Sequence, residues 1–350
     1  MTKMKERKAD HIDIALNRKV SQDYCYWDDI KLMHEALPEI NPEDIDTSVR
    51  ILGKKLEFPF IVTAITGGFS GAAKINSNIA KACSELGIGM GVGSQRAAIE
   101  GIDRESYAVI KDYDVPLVIG NVGAPQLIRQ KGKKQFTAEE IDDAAELIGA
   151  DAMAVHLNFL QEVVQPEGDI RARGCYDAIR DLARDRPIIV KETGAGISAR
   201  TAERLRGTGI RAIDVAGMGG TSFSAVELYR AENINDSIRS SLGRTFFDWG
   251  IPTPVSVLQA DIGLPVIASG GVMNGLHAAK AISIGASCAG GANIVLREAM
   301  ESVDAVKQKL LIIREEIRAT MLLTGCSDIS GLGCAEYIIT GRTREWMGTE

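Results

Sequence analysis

Eight short apolar segments punctuate the chain, most of them roughly 25 to 35 residues apart, the interval that one strand and its following helix occupy. They are PFIVTA (59–64), GIGMGV (87–92), PLVIG (116–120), DAMAVH (151–156), PIIVK (187–191), RAIDVA (211–216), LPVIAS (264–269) and ASCAGG (286–291). Most are followed by a helical pattern, as in KINSNIAKACSEL (74–86), TAEEIDDAAELIG (137–149), SARTAERLRG (198–207) and GLHAAKAISIG (275–285). Continuous apolar strands covered by amphipathic helices make a parallel sheet buried on both faces. Eight such units predict an α/β fold, a closed (β/α)8 TIM barrel, as a single domain over residues 1–350. Residues 1–58 stand outside it as an N-terminal extension, and residues 222–252 form an insertion after strand 6 too long for a simple connection. Residues 298–323 read as one long helix.

A doubly wound nucleotide-binding sheet is the competing architecture, because GVGSQR (91–96) resembles its glycine fingerprint. Arg96 occupies the third glycine position and the segment follows the second strand, which argues against it. A net charge of -7 disfavours a nucleic-acid coat protein. No run approaches membrane-span length, and no apolar leader follows the basic start MTKMKERK, so a cytoplasmic protein is expected. The six cysteines show no CxxC pair and read as reduced thiols rather than a disulfide or zinc framework.

In a barrel, chemistry sits on the loops leaving the C-terminal ends of the strands. Here those exits are polar: TGG (66–68), GSQR (93–96), GNVGA (120–124), HLN with QE behind it, KETGAGIS (191–198), GMGGTS (217–222), SGG (269–271) and GGAN (290–293). Each alone is ordinary turn chemistry; together they predict a large ligand over the barrel mouth. The loops after strands seven and eight, SGGV and GGAN, lie where barrels commonly hold a phosphate on backbone N–H groups. Lys191 ends PIIVK, suited to a Schiff base or to a cofactor that gathers negative charge, with a snorkelling surface residue as the plainer reading. Asn121 and Thr221 add neutral hydrogen bonds, which suits a flat heterocycle such as a flavin. The densest stretch is HLNFLQEVVQPEGD (156–169). His156 and Asn158 share a face there, Gln161 and Glu162 follow, and Glu162 suits a base or a Mg2+ ligand. Glu167 and Asp169 read equally well as solvated. Arg7, Lys8 and Arg96 can concentrate positive charge on a compact polyanion, unless the first two belong to a solvated tail.

Taken in order, ERKADHI, ITGG, GVGSQR, NVGA, HLNFLQEVVQPEGD, VKETGAGIS, GMGGTS, FFDWGIPT, IASGGV and MLLTG resemble the type 2, flavin-dependent isopentenyl diphosphate isomerases over nearly the whole chain. The resemblance implies an FMN-binding barrel that interconverts isopentenyl and dimethylallyl diphosphates in isoprenoid biosynthesis. It would need reduced FMN and Mg2+, with no net redox change, NADPH as reductant and a homo-oligomer, tetramer or octamer. Carried over by position, Ala64, Ile65, Thr66, Ser94, Asn121, Lys191 and Thr221 would contact FMN. Gly271, Val272, Met273, Ala292 and Asn293 would hold its phosphate. Arg7, Lys8, Ser94, Gln95, Arg96, His156, Asn158 and Gln161 would surround the substrate, and Glu162 would bind Mg2+. Of these, Gln161, Lys191 and His156 are the expected catalytic groups, with Lys191 stabilising the anionic reduced flavin and Gln161 positioning or relaying. The chain departs from the family pattern at Ile65, at Met273, in GGANIVL and in GDIRARG. An FMN-dependent dehydrogenase or oxidase of a small hydroxy acid is the first rival, a Schiff-base aldolase the second and a non-catalytic flavin or phosphometabolite binder the third.

Overall fold

The computed structural model describes residues 2–348, with side chains from residue 7 onward. All eight apolar segments become strands: β1 (Phe60–Val62), β2 (Gly89–Gly91), β3 (Val118–Gly123), β4 (Ala152–Leu157), β5 (Ile188–Glu192), β6 (Ala212–Asp214), β7 (Val266–Ser269) and β8 (Cys288–Gly291). Each pairs in parallel with its successor, and β8 pairs with β1 to close the barrel.

Side chains alternate along a strand, so one face of each points into the barrel. Ile61, Ile119, Ala154, Ile189, Ala212 and Ile267 meet there as an apolar floor, joined by Ile51 and Leu56 from the antiparallel hairpin of Val49–Ile51 with Lys54–Leu56. Two residues farther along the same faces stand Thr63, Asn121, His156, Lys191, Asp214 and Ser269, all buried. The strand period therefore sets a ring of polar groups directly on an apolar plug. Another strand pair, Ile30–Leu32 with Tyr337–Ile339, ties the N-terminal extension to the C-terminal segment.

The flanking helices follow the sequence pattern. Helix α1 (Thr2–Asn17) belongs to the extension; α2 (Ala72–Leu86), α3 (Ala138–Ile148), α4 (Phe159–Val164) and α5 (Ala199–Arg206) follow strands β1, β3, β4 and β5. The insertion folds as α6 (Phe223–Asn233) and α7 (Ser237–Thr245), and α8 (Gly275–Ser283) lies between β7 and β8. Ile14 and Val20 pack against Ala225 and Val226, which docks the end of α1 and the residues just after it on α6.

The predicted single helix over 298–323 is two, α9 (Leu296–Glu301) and α10 (Val303–Leu323). Ser302 between them is extended (φ -160, ψ 166), and its Oγ accepts from the Ala305 backbone N–H at 3.1 Å. A serine with that bond is an N-cap, which the apolar periodicity running through it conceals. All six cysteines are free thiols.

Candidate active site

Above the polar ring opens a cavity of about 550 Å³, lined by the exits of the strands, by α1 and by the segment 20–27. Every proposed site residue lines it except Gln95. Gln95 is fully buried; its Nε2 donates to the Ala144 carbonyl at 2.6 Å and its Oε1 accepts from the Asn121 backbone N–H at 3.0 Å. The amide thus fastens the GSQR loop to β3 and α3 and does not face the cavity.

His156 Nδ1 lies 2.8 Å from Asn121 Oδ1, while Asn121 Nδ2 donates to the Val92 carbonyl at 3.0 Å. With the amide nitrogen committed to Val92, Oδ1 is the acceptor, His156 carries its proton on Nδ1, and Nε2 is left bare. Burial, and then the positive charges of Lys191 and Lys8, pull the His156 pKa down from 6.5 to about 3, so the ring is neutral. Unfolded chain then binds a proton that the native state refuses between about pH 6.5 and 3. Native stability must fall as pH drops through that window, and His156→Gln should flatten the slope of unfolding free energy against pH. Parallel slopes in denaturant titrations of the two proteins would contradict this.

Lys191 Nζ donates to Asp214 Oδ2 at 2.7 Å and to Ser269 Oγ at 3.2 Å, and Ser269 in turn donates to Asp214 Oδ1 at 2.5 Å. The ammonium is held as an ion pair inside the barrel, with Asp214 a partner that the strand-like RAIDVA conceals.

Glu162 accepts from Asn158 Nδ2 at 3.0 Å and from the Asp169 backbone N–H at 2.6 Å. Burial raises its pKa, and the Asn158 Oδ1 beside it is buried without a partner. An under-compensated carboxylate next to an orphaned amide oxygen is an all-oxygen donor set that fits a hard divalent cation. Gln161 Nε2 donates to Glu227 Oε1 at 3.0 Å. That carboxylate is fully buried and also receives Arg230 Nη1 at 2.5 Å, with His11 Nε2 at 2.9 Å though not aligned as a hydrogen bond. Burial alone would raise the Glu227 pKa; His11, Arg230 and Gln161 outweigh it and hold it at about 2.

The cationic residues converge but are not all free. Lys8 Nζ donates to the Gly67 carbonyl (2.5 Å), the Ser94 carbonyl (3.0 Å) and the Tyr107 hydroxyl (2.6 Å), so α1 is pinned to the first two strand exits. Burial, then Arg7, lowers its pKa to about 7. Arg96 Nη1 meets Asp169 Oδ2 at 2.9 Å, and Asp169 also takes Lys133 at 2.6 Å. Asp169 is therefore buried and paired, not solvated, whereas Glu167 is exposed and bridges Arg7 and Arg230.

On the opposite side, the exits of β6 and β7 run backbone to backbone. A Cβ on Gly220 would sit 2.7 Å from the Gly271 nitrogen, and one on Gly271, whose φ is +70°, 2.6 Å from the Gly219 carbonyl oxygen. Only glycine fits, and the resulting cradle with Val272, Ala292 and Asn293 suits a phosphate on backbone N–H groups. Met273 on its rim is exposed, and Ile65 is half-buried.

Residues 2–111 and 150–338 match the model of the FMN-dependent dehydrogenase family. An isopentenyl-diphosphate delta-isomerase of Thermoplasma acidophilum is 48% identical over 345 residues, 98% of each chain. The chain belongs to the isopentenyl-diphosphate delta-isomerase family. The member from Methanosarcina mazei is 43% identical, covering 97% of this chain and 93% of its own. Among solved structures, a Pediococcus acidilactici protein described as lactate oxidase superimposes with a TM-score of 0.65 at 14% identity over 97% of this chain and 93% of its own. A mandelate oxidase with a monooxide FMN adduct gives 0.59 at 17% over 90% of each chain. At such identity these two share the barrel alone, whereas the isomerase family's relatives match along its whole length.

Proposed function

We propose that this chain interconverts isopentenyl and dimethylallyl diphosphates with bound, reduced FMN. The observation that carries the reading is one cavity with two unlike walls: a glycine cradle for a cofactor phosphate, and opposite it Arg7, Lys8 and Arg96 gathered for a second polyanion. A hydroxy-acid oxidase, the weaker alternative, has no evident use for Arg7, Lys8 and Arg96 gathered beside a buried Glu162. FMN, when bound in reduced form, supplies a proton-carrying ring nitrogen and an electron-rich face for a double-bond shift between non-acidic carbons.

The protein's own groups do the rest. Ala64, Ile65, Thr66, Ser94, Asn121 and Thr221 line the cavity and would border the flavin ring, to which Lys191 would present its positive charge. His156 presents a bare Nε2, Asn158 an unpartnered Oδ1, and Gln161 is oriented by Glu227. Glu162 would hold Mg2+, with substrate phosphate and water completing the shell. NADPH as reductant, a cytoplasmic location and a homo-oligomer, tetramer or octamer, belong to the same reading.

Anaerobic conversion of isopentenyl diphosphate with pre-reduced against oxidised FMN tests it. Product with reduced flavin alone is expected; flavin bleaching by a hydroxy acid with no isomerisation would replace it with the oxidase. Glu162→Gln should raise the Mg2+ concentration for half-activation at least about tenfold. An unchanged Mg2+ curve would remove Glu162 from the metal.

A further inference from the structure

Behind the phosphate cradle, outside the polar ring, Cys25, Asp28 and His277 bring a sulfur, a carboxylate oxygen and an imidazole nitrogen within 4.8 Å of one another. We propose that these three residues form a site for a thiolate-accepting divalent metal ion of the zinc class. Cys25 and Asp28 come from one turn of the N-terminal extension, and His277 from the first turn of α8. Because the ligands join across 252 residues of sequence, no paired cysteine spacing announces them.

The distances suit a site that closes slightly on its ion. Cys25 Sγ lies 3.9 Å from His277 Nε2, which lies 3.9 Å from Asp28 Oδ1. Tetrahedral zinc, with bonds of about 2.3 Å to sulfur and about 2.0 Å to nitrogen or oxygen, sets such atoms roughly 3.3–3.6 Å apart. Asp28 is the ligand that must move most freely, and its side chain is 69% exposed.

The remainder of the site is already held. The Trp27 ring stacks on His277 with centroids 6.3 Å apart, its Nε1 donates to the Gly270 carbonyl at 3.3 Å, and Lys280 Nζ donates to the Trp27 carbonyl at 2.9 Å. His277 is buried, and burial, more than any neighbour, lowers its pKa, so the imidazole is neutral as a ligand must be. Metal on Nε2 leaves the ring proton on Nδ1, so the long 3.4 Å contact in which the Met273 N–H donates to Nδ1 would be given up. Burial raises the Cys25 pKa, so binding displaces a thiol proton into solvent. Thiolate and carboxylate together neutralise a dication, which limits repulsion from Lys280. A thiolate ligand selects zinc or cobalt over magnesium, so this site is distinct from Glu162. Three protein ligands leave a fourth position for water.

The test is a Co2+ and Zn2+ titration of the full chain after dialysis against a chelator. Wild-type protein should bind one equivalent of Zn2+ in competition with a chromophoric chelator, and Co2+ should give a thiolate charge-transfer band with tetrahedral ligand-field absorption. Cys25→Ser should abolish the band, and Cys25→Ser and Asp28→Asn should each weaken Zn2+ at least about a hundredfold, while Glu162→Gln and Cys334→Ser keep it. Thermal unfolding of each variant separates a lost ligand from a lost fold, and Asp28, being exposed, can change without repacking. Absence of stoichiometric Zn2+ binding, or a cobalt band that survives Cys25→Ser, would overturn the proposal.

Discussion

Lys191→Met will lower both stability and turnover, and adding Asp214→Asn will restore only the first. Among the described residues the lysine is the one cation paired with Asp214, which is 4% exposed and otherwise bonded to Ser269 and to the Ala216 backbone N–H. Removing one member of a buried ion pair strands the other charge in a medium that solvates it poorly, at a cost of about 3–5 kcal/mol. Replacing both with neutral groups of similar size removes the stranded charge, so the double variant should unfold near the wild-type denaturant midpoint. Turnover should stay depressed on the order of 10²–10³-fold, with weaker FMN binding, if Lys191 is the cation that faces the cofactor, as proposed. Unfolding curves, FMN titrations and anaerobic turnover on the three proteins check this. Full activity in the double variant would reduce the lysine to a structural partner.

Glu227→Gln is expected to be nearly as damaging, through a different route. One fully buried carboxylate of α6, paired with Arg230 one turn on, meets α1 at His11 and α4 at Gln161. Glutamine keeps the shape but leaves the Arg230 guanidinium without its counter-charge, costing about 3 kcal/mol, while Gln161 loses a charge-assisted acceptor. Because the native pKa of Glu227 is depressed to about 2, its contribution is complete above the ordinary value of 4.5 and is lost as pH falls towards 2. The variant should therefore differ most from wild type at neutral pH and converge with it in strong acid. A variant with wild-type kcat and an unshifted unfolding midpoint at pH 7 would show the network to be dispensable.

These two carboxylates also mark the limit of what the sequence discloses. Barrel strands are legible because burial on both faces leaves a local apolar signature, and the strand period places His156 and Lys191 in the mouth. Asp214 sits in RAIDVA with no local sign that its partner lies 23 residues upstream, and Glu227 shows only Arg230, one turn on in its own helix, with nothing to announce His11 or Gln161. Their meaning comes from partners joined by closure of the barrel and docking of the extension. Gln95 shows the converse error. It lies between two residues that line the cavity, and the helical turn beginning at Arg96 sends its amide the other way, towards α3.

The apolar plug and the hairpin beneath it give the barrel a sealed base, while α1 and residues 20–27 line the cavity on its open side. Cofactor and substrate consequently share one doorway. If the diphosphate lies over the flavin, the flavin enters first and the diphosphate last, and a bound diphosphate should slow the flavin's exchange with solution. Such an order would come from the architecture of the barrel, without one ligand building the other's site.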